Sequence, residues 1–222
     1  MHDTRPLIGL TPDLKGMDLR LTPAYGLAVV QAGGIPVVLP PLAAEAMALV
    51  QRCDGIILTG GDDPIMEHWG EETHASAQRV EDDRQVFELA ILSAATTLLK
   101  PTLGICLGMQ YMGLVAGGKL DQHLPDGWPT AALHAGGNVH HIEGVLGAGH
   151  VHSRHHQALQ TSGQLEVLAQ AEDGLIEAIG DPEMPFWVGV QWHPERSGEG
   201  PLGSGVFDSL IDVARSKMHV AS

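Results

Sequence analysis

Basic residues are scarce in this chain: 12 Lys and Arg stand against 27 Asp and Glu, a formal net charge of −15 over 222 residues. Such a surface repels phosphate backbones and anionic lipid, and no basic run offsets it, which argues against nucleic acid or a membrane as partner. Long apolar runs are missing too. No uninterrupted stretch approaches the ~18 residues of a membrane span, and Met1-His2-Asp3-Thr4-Arg5-Pro6 lacks the apolar core of a secretion signal, so a cytoplasmic protein is expected. Cysteine is limited to Cys53 and Cys106, which fits a reducing compartment better than a disulfide framework. Neither an internal repeat nor a linker is visible. With 44% hydrophobic residues, the chain suffices for one domain over residues 1–222.

Apolar runs of strand length alternate with longer helical stretches, the pattern of an α/β fold. The expected architecture has three layers, a largely parallel central sheet with helices on both faces. Strands are expected at 7–10, 36–39, 55–59 and 101–105, and helices at 23–32, 43–53, 79–100 and 109–116. Beyond Gly118 the pattern changes. Residues 121–149 are rich in Gly, Pro and His without a clear period. Short strands follow near 139–142, 165–171, 175–179 and 187–191, where antiparallel hairpins are expected, and a closing helix spans 203–217.

Gly104-Ile105-Cys106-Leu107-Gly108-Met109-Gln110 places one cysteine between an apolar strand and a helix, with glycine on both sides. Glycines remove the Cβ clashes of a sharp strand-to-helix turn, so the Cys106 thiol would project outward as an activated nucleophile does. The helix N-terminus favours thiolate over thiol and leaves the Leu107 N–H free for an oxyanion. An inert core cysteine is the commoner fate of such a residue. Against it stands Val190-Gln191-Trp192-His193-Pro194-Glu195. Pro194 disfavours helix at His193, and residues two apart in extended chain project to one side, so Glu195 can orient His193 as a base for the thiol.

GICLGMQ, QWHPE and the intervening Ser153-Arg154-His155-His156-Gln157 closely resemble the class I glutamine amidotransferase superfamily, and the match spans nearly the whole chain. Gly60-Gly61-Asp62-Asp63-Pro64, Arg84-Gln85-Val86-Phe87-Glu88 and Asp173-Gly174-Leu175-Ile176-Glu177-Ala178-Ile179 are similar to the free-standing γ-glutamyl hydrolases, the branch that includes γ-glutamyl-γ-aminobutyrate hydrolase. Relatives in that branch often carry Arg after the nucleophile, whereas Leu107 matches many glutaminase domains. The resemblance implies a catalytic triad of Cys106, His193 and Glu195. It also implies that the Gly61 N–H joins Leu107 in an oxyanion hole, with Gly60 beside it as a substrate contact.

Gln110, one helical turn after Cys106, faces the same side and is expected to line the pocket. Ser153, His155 and His156 are expected to form a pocket wall against the glutamyl moiety, with structural hydrogen bonding as the alternative. The acidic stretch Glu67–Asp83, which contains Glu71, Glu72, Glu81, Asp82 and Asp83, reads either as a solvated excursion or as a lid. The 13 histidines raise the question of a metal. Neither H-x-E-x-H nor C-x-x-C occurs, and neighbouring His residues in extended chain point to opposite faces, so neither a metal nor another cofactor is expected.

The expected substrate is a small γ-glutamyl amide such as γ-glutamyl-γ-aminobutyrate, hydrolysed through a γ-glutamyl thioester to release glutamate. Two other functions stay open: a glutaminase subunit supplying ammonia to a synthetase, and a catalytically idle binding module. The leaving amine and the oligomeric state, a homodimer included, are not legible.

Overall fold

Continuous apolar runs of four residues build the centre of the sheet, because a strand covered by helices on both faces has no side to expose. In the computed structural model, which describes residues 4–218, β1 (Leu7–Leu10) is followed by a small hairpin, β2 (Asp13–Lys15) and β3 (Asp18–Arg20), and by α1 (Pro23–Gln31) and β4 (Ile35–Val38). Next come α2 (Ala46–Arg52), β5 (Gly55–Leu58), α3 (Asp82–Thr97), β6 (Thr102–Ile105) and α4 (Leu107–Val115). The second half holds β7 (Lys119–Asp121), α5 (Ala131–His134), β8 (Asn138–Gly144), β9 (Gly147–Ser153) and β10 (Ala158–Thr161). It closes with β11 (Glu166–Ala171), β12 (Ile176–Gly180), β13 (Trp187–Val190) and α6 (Ser204–Met218).

Nine strands form one sheet in the order β4-β1-β5-β6-β13-β12-β11-β8-β9. The first five run parallel and the remainder antiparallel. Helices α1 and α6 bury Val29, Phe207 and Leu210 with Ile8 and Leu103 on one face, and α2, α3 and α4 bury Val50, Phe87 and Met109 with Ile56 and Leu58 on the other. This is the expected three-layer α/β architecture, with the pairs β2–β3 and β7–β10 as small separate antiparallel sheets.

Two expectations need correction. The late strands pair antiparallel as expected, but they do so within the central sheet, and β13 also inserts parallel beside β6 through its register of Gly189 with Gly104. The segment expected to lack a clear period contains α5 and all of β8, whose centre is the strand expected near 139–142, while β9, which was not expected, carries the glycine-rich run Gly147-Ala148-Gly149 that conceals a strand.

Candidate active site

Cys106 follows β6 and caps α4 at φ 52° and ψ −104°, a conformation L residues rarely adopt. Two glycines allow the turn to close. A Cβ on Gly104 would lie 2.7 Å from the Gly108 carbonyl carbon, and one on Gly108 would lie 2.5 Å from the Leu58 carbonyl oxygen. Backbone fills both spaces, so no side chain fits at either position.

The adjoining strand brings the base. The Cys106 N–H donates to the Val190 carbonyl at 2.8 Å, and the chain then carries Gln191, Trp192 and His193 past the thiol. Trp192 is fully buried and its indole N–H donates to the Leu202 carbonyl, which anchors this segment. His193 Nδ1 lies 2.8 Å from Glu195 Oε1. Residues 194–196 form a 3-10 turn rather than extended chain, since Pro194 suits the first position of a helical turn; the pair meets across that turn. Burial opposes the imidazolium, yet hydrogen bonds with Cys106 and Glu195 outweigh it and raise His193 to about 9. Gln191, fully buried, donates from Nε2 to Cys106 Sγ at 3.5 Å.

Thr59-Gly60-Gly61 follows β5 and faces the thiol from the other side. Arg84, buried in the first turn of α3, donates to the Gly60 carbonyl at 3.1 Å and to Asp13 at 2.7 Å. Gln85 exchanges two hydrogen bonds with the backbone of Ile65, so the start of α3 holds the loop at two points. A Cβ on Gly61 would lie 2.2 Å from Arg84 Nη1, and one on Gly60 would lie 3.0 Å from His193 Cε1. The Gly60 N–H donates to the Tyr25 hydroxyl at 3.2 Å. Among the described residues, the Gly61 and Leu107 N–H groups have no protein acceptor.

Cys106 and His193 open into a cleft of about 410 Å³ shared with Gly60, Gly61, Tyr25, Arg20 and Arg154. Arg20 and Arg154 have no carboxylate partner among the described residues, whereas Asp13 and Asp62, which also line the cleft, pair with Arg84 and Lys15. Gly61, Asp62 and Arg154 also border an adjoining chamber of about 250 Å³, lined further by Asp63, Gln78, His155 and His156.

The structure therefore brings together Cys106, His193, Glu195, Gly60, Gly61 and Leu107. It places His155 and His156 at the side chamber, where His156 Nε2 lies 3.0 Å from Asp63. Gln110 and Ser153 stand behind the cleft. Gln110 donates to Gln191 Oε1 at 3.3 Å, and Ser153 Oγ donates to the His134 carbonyl at 2.8 Å. Glu71, Glu72, Glu81, Asp82 and Asp83 line neither cavity, and the loop that carries them is tied down by Trp69 stacked on Tyr111 and by Glu67 bonded to Thr73 and Arg79. Sequence reasoning did not single out Tyr25, Arg20 or Gln191; the adjacency of Gln191 to the Trp-His pair was the one available signal.

The chain is 32% identical to a Mycobacterium tuberculosis protein assigned as a glutamine amidotransferase, over 95% of this chain and 75% of that one. It is 31% identical to γ-glutamyl-γ-aminobutyrate hydrolase PuuD of Escherichia coli K12, over 89% and 86% of the two chains. Among solved structures, a Thermoplasma acidophilum protein assigned as a GMP synthase component superposes with a TM-score of 0.70 at 14% identity over 99% of both chains, which shows a shared fold. The peptidase C26 family model matches residues 6–195. A match of that extent, in a chain whose glycine-flanked cysteine faces a His-Glu pair, makes this protein a member of the peptidase C26 family.

Proposed function

We propose that this protein hydrolyses the γ-glutamyl amide bond of a γ-glutamyl amine whose leaving group carries a carboxylate, such as γ-glutamyl-γ-aminobutyrate. The observation that carries this reading is Cys106, on its constrained turn beside the His193–Glu195 pair, facing a cleft with two unpaired arginines. The Cys106 thiolate attacks the γ-carbonyl carbon. The C–N bond then breaks as the His193 imidazolium gives its proton to the departing amine, leaving a γ-glutamyl thioester. Water, deprotonated by His193, attacks the thioester carbonyl, glutamate departs and the thiolate is restored.

Glu195 holds the imidazole and stabilises its charge throughout. The Gly61 and Leu107 N–H groups receive the oxyanion of both tetrahedral intermediates, a contribution of several kcal/mol together. Arg20 and Arg154 receive substrate carboxylates, since a guanidinium fork matches that group. The chamber bordered by Arg154, His155 and His156 accepts the amine side, while Gln110 and Ser153 act from behind the surface by holding Gln191 and the Arg154 segment.

Purified protein incubated with γ-glutamyl-γ-aminobutyrate and, separately, with glutamine tests this by release of glutamate. Faster cleavage of the first is expected. Inertness toward both would favour an idle module, and glutaminase activity that appears only with a synthetase partner would replace this reading with the amidotransferase one.

A further inference from the structure

Glu177 on β12 is fully buried, and neither carboxylate oxygen has a partner of hydrogen-bonding geometry among the described residues. Three imidazoles nevertheless crowd it. His140 Nε2 lies 3.0 Å, His134 Nδ1 3.3 Å and His155 Nε2 3.5 Å from Glu177 Oε1, and all three nitrogens are likewise unpartnered. They arrive from separate elements: His134 from α5, His140 from β8 and His155 from the segment after β9. Each of the three side chains is nine-tenths buried or more.

For His155 and His134 the far nitrogens bear on why the near ones stand bare. His155 Nδ1 lies 2.9 Å from the Gln157 carbonyl, which only accepts, so Nδ1 carries the proton and neutral His155 turns the Nε2 lone pair toward Glu177. His134 Nε2 lies 2.9 Å from Asp173 Oδ2, and Asp173 is itself fixed by the Trp128 indole N–H at 2.9 Å. A carboxylate facing an imidazole lone pair in a dry interior is repulsive unless a cation stands between them.

We propose that His134, His155 and Glu177 bind one zinc ion as a structural site, with His140 beside it on Glu177. Zinc bonds to nitrogen and oxygen of roughly 2.0–2.2 Å put neighbouring ligand atoms of a tetrahedron ~3.3 Å apart, close to the 3.3 and 3.5 Å that separate Glu177 Oε1 from His134 Nδ1 and His155 Nε2. The ligand atoms of His134, His155 and Glu177 already lie within 4.8 Å of one another. Asp173 on His134 and the Gln157 carbonyl on His155 are the outer partners that orient ligating imidazoles in zinc proteins. All three ligands are buried, so the ion would stabilise rather than react. It would hold one wall of the cleft, because the Ser153 hydroxyl and the His155 N–H both donate to the His134 carbonyl, and Arg154 between them reaches the cleft.

The rival occupant is a second proton on His134, which would sit as an imidazolium between Asp173 and Glu177. The test uses Cys106→Ala protein, so that the cleft thiol does not bind metal. After chelator treatment, zinc loading and dialysis, atomic emission should show one equivalent more zinc than in the Cys106→Ala/His134→Gln protein, and zinc should raise the melting temperature of the first only. Equal zinc content in the two folded proteins, or no uptake by Cys106→Ala, would overturn the site and leave the proton as occupant. If near-UV circular dichroism shows the double variant unfolded, cobalt(II) decides on Cys106→Ala alone: visible bands of a tetrahedral nitrogen–oxygen set support the site, and their absence overturns it.

Discussion

The side-chain amide of Gln191 donates to Cys106 Sγ at 3.5 Å, while its oxygen accepts from Gln110 at 3.3 Å. A buried amide held from behind in this way presents a fixed N–H to the sulfur and needs no reorganisation as negative charge gathers there. Gln191→Leu should slow hydrolysis about 10-fold, the effect of losing one hydrogen bond to a charged group, and should slow alkylation of Cys106 by iodoacetamide in the same variant. Unchanged rates in both assays would mean the contact is packing alone.

Cys106→Ala should abolish turnover with the fold intact, since alanine fits every space the thiol occupies and bears the same backbone strain. Circular dichroism and glutamate release check the two halves. In the wild-type protein Cys106 should be alkylated well before Cys53, whose thiol burial pushes up to about 11. Peptide mass spectrometry after brief iodoacetamide treatment reads the order.

Glu195→Gln should lower kcat by about two to four orders of magnitude while leaving measurable activity, because an amide still positions the imidazole but no longer stabilises its charge. The interactions of His193 with Cys106 and Glu195 also shape stability. The folded His193 value of about 9 exceeds the unfolded value near 6.5, so the stabilisation is fully present below about pH 6.5 and is lost as pH rises through about 9. It amounts to roughly 3 kcal/mol at most. Urea unfolding should show wild type exceeding Glu195→Gln most at low pH, with the gap narrowing toward pH 9.

Gly61→Ala should damage both loop and fold, because the new Cβ would meet Arg84 Nη1 at 2.2 Å and displace the guanidinium that holds the Gly60 carbonyl. A loss of about 2–4 kcal/mol of stability is expected, with a fall in kcat in whatever remains folded. Thermal denaturation and single-turnover kinetics separate the two effects.

Arg154→Ala should raise KM for γ-glutamyl-γ-aminobutyrate at least several-fold more than for glutamine, since Arg154 borders both the cleft and the side chamber and only the first substrate carries a carboxylate on its leaving group. Parallel KM measurements on the two substrates decide it. Equal increases would place Arg154 on the glutamyl side instead.

Much of the fold was legible because its cues are local. Runs such as Gly55–Leu58, which leads into Gly60-Gly61, and Thr102–Ile105, which runs through Cys106 into α4, specify buried parallel strands without reference to distant residues. The placement of Cys106 on a glycine-flanked turn was legible for the same reason, as a strained backbone needs particular neighbours in sequence. Strand β9 escaped because Gly147 and Gly149 dilute its pattern, and its pairing with β8 comes from register across the hairpin.

The sequence by itself determined which residues could carry chemistry and the turn on which Cys106 sits, because torsion and steric exclusion act over a few residues. Only the tertiary structure decided which of the 13 histidines meet. Adjacent His155 and His156 do part, one toward Glu177 and the other toward Asp63, as alternation requires. Yet His134 and His140 approach the same carboxylate from α5 and β8, elements that sequence spacing does not bring together. The parallel register of β13 against β6 likewise sets Gln191 against Cys106 and His193 beside it, across more than eighty residues of chain. Such meetings depend on strand order and packing of the whole sheet, and those are properties of the folded chain rather than of any segment.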